Sequence, residues 1–353
     1  MLVRTEHFGT LPDGTGVNAY VLDNGRVRLR AIDYGAIITA LHVPDRHGNA
    51  ASIVLGHAAL EPYLTNPHYL GAVVGRYANR IRHGRFMLDG HVYQLAVNDG
   101  SHHLHGGRVG FDRHVWAGTP AQSDESVGVV FSRRSPDGEE GYPGDLQVRV
   151  SYELSRHDGH DDVSIAYSAT TTAPTIVNLT QHSYFDLSSG RAHDVLGHEL
   201  TIDASSYVPV DSGLIPLGTT AAVAGTPFDF RASTGIGTRI GHDDPQLARG
   251  RGYDHCWVLN GGGGLARAAH VAEPTSGRTL EVWTTEPGVQ FYSGNLLDGR
   301  IAAGGRALNR HTGFCLETQH MPDSPNIPVF PSTTLVPAAA YSSRTVWRLG
   351  CAR

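Results

Sequence analysis

LQVRVSYELSRHDGHDDVSIAYSA, residues 146–169, is the stretch that best indicates the fold class of this chain. Apolar and polar side chains alternate in Leu146–Leu154 and again in Val163–Ala169, and a His-Asp-Gly turn separates the two runs. A period of two is typical of strands that bury one face and expose the other to water. We therefore expect two neighbouring antiparallel strands here.

Similar hairpin signals recur along the whole chain. Turn sequences at Asp23–Gly25, Asp89–Gly90 and Ser276–Gly277 each separate two short apolar-rich runs. The helix candidates are short, around Ala58–Leu64 and Pro245–Ala248. No compositional break or internal repeat divides the sequence. We predict an all-β fold, a large antiparallel β-sandwich forming a single domain over residues 1–353.

Composition excludes several classes of function. The formal net charge is −6 and no basic run is interleaved with aromatic residues, which argues against nucleic acid as the main partner. The chain has no lysine, so Schiff-base catalysis by lysine and a lysine-bearing phosphate loop are excluded. We find no secretory signal, no apolar run long enough to span a membrane, and 3 widely spaced cysteines that match neither a disulfide framework nor a zinc motif. A cytoplasmic protein with no membrane partner is expected.

The stretch NLTQHSYFDL, which begins at Asn178, suggests a ligand site. In an extended strand Asn178, Thr180 and His182 would share one face, next to the aromatic pair that follows. An amide, a hydroxyl and an imidazole beside aromatic rings suit a polyhydroxylated ligand such as a sugar, and the imidazole can carry a proton near neutral pH. A buried histidine bonded to the backbone explains this stretch equally well.

The densest group of histidines is HHLHGG, residues 102–107. A metal site here would need a further histidine or carboxylate at suitable spacing, and the neighbouring sequence contains no helical H-x-x-x-H and no H-x-E. The alternative is that His105, which two glycines follow, faces a ligand while His102 and His103 are solvated.

Other polar residues are candidates for binding hydroxyl groups. Asn79 and Arg80 offer an amide and a rigid fork of donors, although a surface arginine is the simpler explanation. Asp254 is either an acceptor for a hydroxyl or a turn residue. Gln290 and Tyr292 alternate on one predicted strand face.

Glu317 follows an apolar run, Phe314–Leu316, at the predicted end of a core strand. Burying a carboxylate in that position costs free energy unless the carboxylate is paired with another group or takes part in function. The simpler explanation is that its side chain reaches water at the end of the strand. A glycosidase would need two carboxylates, for which Asp254 and Glu317 are available. A serine nucleophile is disfavoured because the chain has no G-x-S-x-G.

Taken together and in order, these motifs resemble the aldose 1-epimerase family, also called galactose mutarotases. The resemblance extends over nearly the whole chain. It includes GRYANRI (Gly75–Ile81), LHGG followed by GFD (Leu104–Asp112), SPDGEEGYPGDL (Ser135–Leu146), NLTQHSYFDL, YVPVDSGLIPLG (Tyr207–Gly218), PFDFR (Pro227–Arg231), GYDH (Gly252–His255), PGVQFYSGN (Pro287–Asn295) and FCLETQHMPDSPN (Phe314–Asn326). His102, Gln181 and Cys256 depart from the usual family residues, which leaves the preferred sugar open.

The resemblance implies a mutarotase-type sandwich whose strands form a cleft. It implies interconversion of the α and β anomers of free aldohexoses such as glucose and galactose, with no cofactor and no metal. By motif position, Glu317 is the general base and His182 the general acid. The positions that match sugar-binding and supporting residues of the family are Asn79, Arg80, His105, Asp254 and Gln290. The expected partner is a small aldose, and the expected state is a monomer or homodimer.

Anomer interconversion needs only one acid and one base. The base takes the proton of the C1 hydroxyl while the acid protonates the ring oxygen, and the open aldehyde then turns about the C1–C2 bond and recloses. Ordinary pKa values of about 4.3 for Glu and about 6.5 for His leave Glu317 ionised and His182 partly protonated at neutral pH. We hypothesise that a nearby carboxylate raises the pKa of His182.

Three other functions fit parts of the sequence. An epimerase of a phosphorylated or modified sugar would need an arginine cluster at the cleft. A non-catalytic sugar-binding β-sandwich would not need His182 and Glu317 together. A metal-dependent isomerase using His102, His103 and His105 would be sensitive to chelators.

Overall fold

The computed structural model describes residues 1–261 and 263–352, in which antiparallel strands are the main secondary structure and helices are few and short. Gly262 and Arg353 lie outside the described residues, so the predicted domain over residues 1–353 includes two positions without a structural description. None of the helices in the described part of the chain is long and apolar enough to cross a membrane.

The first sheet, which we call the N-terminal sheet, has five strands that follow one another in the chain. The turn at Asp23–Gly25 joins its second and third strands, as the sequence predicts. The strands are Leu2–Thr10, Gly16–Asp23, Arg28–Ile32, Ile38–Pro44 and Ala50–Ser52.

The second sheet, which we call the large sheet, has nine strands. The predicted strand pair is confirmed as Leu146–His157 and His160–Thr171, which pair in register from Leu146 with Thr171 to His157 with His160. In spatial order the nine strands are Ala117–Gln122, Ser126–Ser135, Leu146–His157, His160–Thr171, Tyr341–Cys351, Arg278–Thr284, Ala266–Ala272, Glu199–Ile202 and Thr234–Gly235.

The third sheet, which we call the site sheet, has five strands. In spatial order they are Ala221–Ala222, Ala204–Val208, Asp254–Leu259, Gly288–Tyr292 and Cys315–Gln319. The register places Gln290 beside Glu317 and beside Cys256.

Short elements connect these sheets. Five two-stranded pairs occur in the described residues: Arg80–Ile81 with His103–Leu104, Val73–Val74 with Thr180–Gln181, Arg85–Leu88 with His91–Gln94, Thr175–Ile176 with Thr334–Leu335, and Ala302–Ala303 with Arg306–Ala307. The helices are Glu61–Thr65 and Pro245–Gly250, close to the predicted positions, with 3-10 turns at Arg82–Gly84, Phe111–Arg113, Glu139–Gly141, Ile236–Thr238 and Ser324–Asn326.

A continuous apolar core joins all three sheets. Leu29 of the N-terminal sheet, Val150 of the large sheet and Phe291 of the site sheet belong to the same buried cluster. Buried and exposed residues alternate in the strand Leu146–His157, because the other face of the large sheet meets water. The predicted all-β sandwich is confirmed.

The site sheet differs because both of its faces are buried in its last two strands. Val289, Phe291 and Leu316 point into the apolar core. The alternate residues must therefore project from the opposite face, since side chains along a strand alternate in direction. That face carries Gln290 and Glu317, so the sandwich places polar groups in a buried position.

Candidate active site

A small cleft lies against the polar face of the site sheet. Its cavity volume is about 100 Å³, and it is lined by Pro67, His68, Tyr69, Asn79, Arg80, Leu104, His105, His182, Tyr184, Asp254, Tyr292, Leu296 and Glu317. Two larger grooves of about 580 Å³ and 620 Å³ lie elsewhere in the described part of the molecule, and a third of about 400 Å³ adjoins the cleft through Arg80, Asp254 and Leu296. The chemistry favours the small cleft, because the predicted acid and base meet there.

Glu317 lies at the centre of the strand Cys315–Gln319, not at its end as the sequence suggested, and only 2% of it is exposed. Its Oε1 is 3.6 Å from Nε2 of His182, and its buried Oε2 has no hydrogen-bond partner among the described residues. Burial, followed by the nearby charge of Asp254, raises the pKa of Glu317 well above 4.5, while Arg80 opposes this shift. A carboxylate with a raised pKa and a free oxygen is suited to accept a proton.

His182 is held at the cleft by its backbone. Its N–H donates to the carbonyl of Ala72 at 2.9 Å, and its carbonyl accepts from the N–H of Gly71 at 3.0 Å. Burial lowers the pKa of the imidazole to about 4. The expectation that a nearby carboxylate raises this pKa is wrong, because burial disfavours the cationic form of the ring and lowers its pKa.

The predicted polar face of Asn178, Thr180 and His182 is only partly formed. The Asn178 amide Nδ2 donates to the carbonyl of Ala78 at 3.3 Å, and the Thr180 hydroxyl donates to the carbonyl of Thr318 at 2.9 Å. These two side chains therefore satisfy backbone groups instead of facing the cleft. The Thr180 bond holds the His182 segment against the strand that carries Glu317, and the Asn178 bond holds it against the segment that carries Asn79.

His105 lies beside His182, with ring centres 5.3 Å apart. The backbone N–H of Asn79 donates to Nδ1 of His105 at 3.2 Å. Burial, helped by the neighbouring imidazole, lowers the pKa of His105 well below 6.5, so the ring is neutral. With Nδ1 acting as an acceptor, the single hydrogen is on Nε2, and His105 can donate it to a ligand.

The three histidines of residues 102–105 do not converge. His103 is 0% exposed, and its nitrogens contact the carbonyl of Ala96 at 2.7 Å and the hydroxyl of Tyr142 at 2.5 Å. The prediction that His103 is solvated is therefore wrong, and His105 is the histidine of this group that lines the cleft. His102 accepts from the backbone N–H of His83 at 3.1 Å, away from the others.

Within the described residues a different group could hold a metal ion by position. Ligand atoms of His105, His182 and Glu317 lie within 4.8 Å of one another, and all three residues are buried. His105 fits a metal poorly, because the Asn79 N–H occupies Nδ1 and leaves the hydrogen on Nε2. The N–H donor of His105, next to the imidazole of His182 and a carboxylate, suits the oxygens of a sugar better.

Arg80 lines the cleft from the start of the short strand Arg80–Ile81, and Asn79 lines it from the position just before that strand. Arg80 donates from Nε to Oδ2 of Asp99 at 2.8 Å, which fixes the guanidinium direction. Asn79 adopts a left-handed conformation with φ of 63°, and its Oδ1 accepts from the N–H of Arg80 at 2.8 Å. Asp99 therefore holds the guanidinium in place, and its two terminal nitrogens have no hydrogen-bond partner among the residues that the structure describes.

Asp254 and Gln290 form a pair across neighbouring strands. Gln290 donates from Nε2 to Oδ1 of Asp254 at 2.7 Å, and its own Oε1 is buried without a hydrogen-bond partner among the described residues. Burial raises the pKa of Asp254, although Arg80 and the Gln290 bond oppose the shift. Asp254 lines the cleft and Gln290 lies behind it, so Gln290 supports the acceptor instead of lining the same cavity.

Tyr69 and Cys315 are among the residues of this site that the sequence did not single out. Tyr69 enters the cleft from a loop with φ of 56°, its ring centre 4.7 Å from that of His105, and no sequence pattern marks it. Cys315 has its Sγ 3.6 Å from Nδ1 of His182. Its spacing of two residues from Glu317 places both on one strand face, a signal that could have identified it.

Comparison with known proteins gives one consistent result. The family model for aldose 1-epimerase matches residues 18–348. A galactose mutarotase from Bos taurus is 46% identical over 347 residues, covering 98% of each chain, and an aldose 1-epimerase from Escherichia coli is 39% identical over 343 residues, covering 96% of each. The crystal structure of a galactose 1-epimerase from Lactobacillus acidophilus superposes with a TM-score of 0.87 at 28% identity and covers 100% of both chains.

Proposed function

The chain belongs to the aldose 1-epimerase family, and from this premise we propose that Glu317 and His182 perform its acid–base chemistry on free aldohexoses. The protein is an isomerase that interconverts the α and β anomers of aldoses. The observation that carries the assignment of residues is the 3.6 Å separation of Glu317 Oε1 and His182 Nε2 in a buried cleft. The hydroxyl and ring oxygens of a hemiacetal are bonded to the same carbon, so an acid and a base this close can serve both.

Glu317 is the proposed general base. Its unpaired Oε2 accepts the proton of the C1 hydroxyl. The raised pKa makes the carboxylate a stronger base once it is ionised, which matches it better to a weakly acidic hydroxyl. When the ring recloses, the same residue returns the proton.

His182 is the proposed general acid, in its neutral form. Because its pKa is lowered to about 4, the imidazole carries a single hydrogen near pH 7. That hydrogen must be on Nε2 to reach the ring oxygen of the sugar. Donating that hydrogen leaves His182 as an imidazolate anion, a strong base that takes the hydrogen back when the ring recloses.

The remaining cleft residues are proposed to hold the hydroxyl groups of the sugar. His105 donates from Nε2, Arg80 donates from its free guanidinium nitrogens, and Asp254 accepts. Asn79 and Gln290 keep His105 and Asp254 in position through the bonds at 3.2 Å and 2.7 Å. The aromatic ring of Tyr292 closes one side.

A free sugar fits this cleft better than a phosphorylated one. Arg80 is the one arginine among the described residues that line the cleft, and it is already paired with Asp99. Glu317 and Asp254 add negative potential there. A phosphate group would need more cationic donors than these.

We also propose that the protein works in the cytoplasm as a monomer or homodimer, without a nucleic-acid or membrane partner. Three free thiols suit a reducing compartment. Light scattering after size-exclusion chromatography measures the oligomeric state, and a larger assembly would overturn this part of the proposal.

The test of function is polarimetry on freshly dissolved α-glucose and α-galactose, with and without the protein and with a chelator present. We expect the protein to accelerate the approach to the same final rotation, and the chelator to leave the rate unchanged. Loss of rate with the chelator would point to a metal at His105, His182 and Glu317. No acceleration with either sugar would overturn the assignment to these free aldohexoses and send the assay to phosphorylated or modified sugars.

A further inference from the structure

The thiol of Cys315 lies directly behind the imidazole of His182. Its Sγ is 3.6 Å from Nδ1, while Oε1 of Glu317 is 3.6 Å from Nε2 of the same ring. The imidazole is thus placed between a thiol on one side and the proposed base on the other. Cys315 and Glu317 come from one strand, two residues apart.

We propose that Cys315 is a positioning residue that donates its S–H to Nδ1 of His182 and so keeps the ring hydrogen on Nε2. The inference rests on the proposed function, in which His182 donates from Nε2 to the ring oxygen. Cys315 does not touch the sugar, since it is 0% exposed and absent from the cleft lining. Its effect on the reaction passes through His182.

The sulfur is able to act as the donor because it keeps its proton. Burial, together with the carboxylates of Glu317 and Asp254, raises the pKa of the Cys315 thiol well above 9. A neutral imidazole has one donor and one acceptor nitrogen, and a thiol donor behind Nδ1 makes that nitrogen the acceptor. The distance is within the range for a hydrogen bond that involves sulfur.

A thiol is needed here because the ring has a competing partner. The backbone carbonyl of His182 itself lies close enough to the ring to oppose the lowering of its pKa. Bonding to that carbonyl would place the hydrogen on Nδ1 and turn a lone pair toward the cleft. In that form His182 could not protonate the ring oxygen of a sugar, because neither Nε2 nor the ring oxygen would carry a hydrogen.

The neighbouring His105 is oriented in the same way by a different group. There the backbone N–H of Asn79 occupies Nδ1 and leaves the hydrogen on Nε2. With Cys315 behind His182, both imidazoles present N–H donors to the cleft. The ring oxygen of a sugar has only lone pairs, so this pairing matches it.

The first test is polarimetry with Cys315→Ala and Cys315→Ser. Partners that orient metal-binding histidines contribute roughly 10- to 100-fold, and we expect an effect of that size for a partner that orients His182. We expect Cys315→Ala to lower kcat by about tenfold or more with little change in KM, and Cys315→Ser, which keeps a donor, to recover part of the loss. Cys351→Ala, a partly exposed cysteine far along the chain, controls for general loss of a thiol and should leave kcat unchanged.

A wild-type kcat in Cys315→Ala would overturn the proposal. Equal losses in the alanine and serine variants would also overturn it, because they would point to packing instead of hydrogen donation. Circular dichroism on each variant separates these outcomes from misfolding. If the alanine variant does not fold, the serine variant and the measurement on wild-type protein below still decide.

The second test needs no activity and no substitution. Nitrogen-15 NMR of histidine-labelled protein at neutral pH reports which ring nitrogen carries the hydrogen. We expect Nε2–H for His182, and Nδ1–H for His103, which faces the carbonyl of Ala96 and serves as an internal reference. A hydrogen on Nδ1 of His182 would refute the role of Cys315, even if the enzyme is active. A hydrogen on Nε2 in a wild-type protein that shows no activity would refute only the proposed function.

Discussion

His103 and His182 are both buried histidines whose pKa is lowered to about 4 by burial, yet their surroundings differ. Both nitrogens of His103 have close partners, the carbonyl of Ala96 and the hydroxyl of Tyr142. His182 instead turns Nε2 toward a cleft and toward Glu317, whose Oε2 has no partner in the described part of the chain. A lowered pKa therefore does not by itself separate the proposed catalytic histidine from the structural one. The incomplete set of partners next to a cavity is the difference between them.

The largest expected effect is on turnover at the cleft. We predict that Glu317→Gln and His182→Gln each lower kcat by at least about 10²-fold, because each removes one positioned proton transfer. Polarimetric rates over a range of sugar concentrations separate kcat from KM, and sugar binding should largely survive. Near-normal turnover in either variant would show that the replaced residue is not the acid or the base.

The matching change at the structural site should affect stability instead. His103→Gln leaves the Tyr142 hydroxyl or the Ala96 carbonyl without its partner, and an unsatisfied buried group costs about 1–3 kcal/mol in the free energy of unfolding. Urea unfolding measures this loss, and kcat should remain near the wild-type value. A large fall in kcat with an unchanged free energy of unfolding would contradict the structural role of His103 and make it a functional residue.

The stability that His103 contributes should depend on pH in a defined direction. Its folded pKa of about 4 lies below the ordinary value of 6.5, so the folded state prefers the neutral ring. The contribution is fully present above pH 6.5 and is lost as the pH falls through about 4. Unfolding of wild type and His103→Gln across this range should therefore converge at low pH, and a constant difference would contradict the cause given for the shift.

The pH dependence of catalysis should carry the signature of Glu317. Because its pKa is raised, kcat/KM should fall on the acidic side with a midpoint above 4.5. His182 is neutral above about pH 4, so it should add no basic limb near 6.5. A basic limb near 6.5 would mean that the imidazolium is the acid, as first expected from the sequence.

The smallest effect is a gain in stability in the inactive variant Glu317→Gln. The folded pKa of Glu317 is raised, so its contribution is fully present below the unfolded value and is lost as the pH rises through the folded pKa. Glutamine does not ionise, and we expect the variant to melt at a slightly higher temperature than wild type at neutral pH but not at pH 4. Calorimetry at the two pH values measures the difference in Tm between the variant and wild type. A lower Tm for the variant at neutral pH would contradict the prediction, because it would mean that the ionised carboxylate stabilises the fold.

Local patterns in the sequence were sufficient for the strands and for several site residues. The alternation in residues 146–169 became the central strand pair of the large sheet. The same period of two places Gln290 with Tyr292, and Cys315 with Glu317, on one face of the site sheet. Successive side chains of a strand point to opposite faces. The residues that share a face could therefore be predicted without knowing which strands lie beside them.

What surrounds each side chain depended on contacts between distant parts of the chain. Asn178 and Thr180 alternate with His182 in the sequence, but their side chains bond to backbone carbonyls of other segments. His103 is buried against the hydroxyl of Tyr142, although the polar residues next to it in the sequence suggest exposure.

The sequence by itself determined the strand periodicity, the family resemblance and the presence of one carboxylate and one imidazole able to move protons. Only the tertiary structure decided the pKa of His182 and its contact with Cys315, which is 133 residues away in the chain. The physical reason is that proton affinity depends on burial and on the charges and donors nearby, and these come from segments that meet only when the sheets pack.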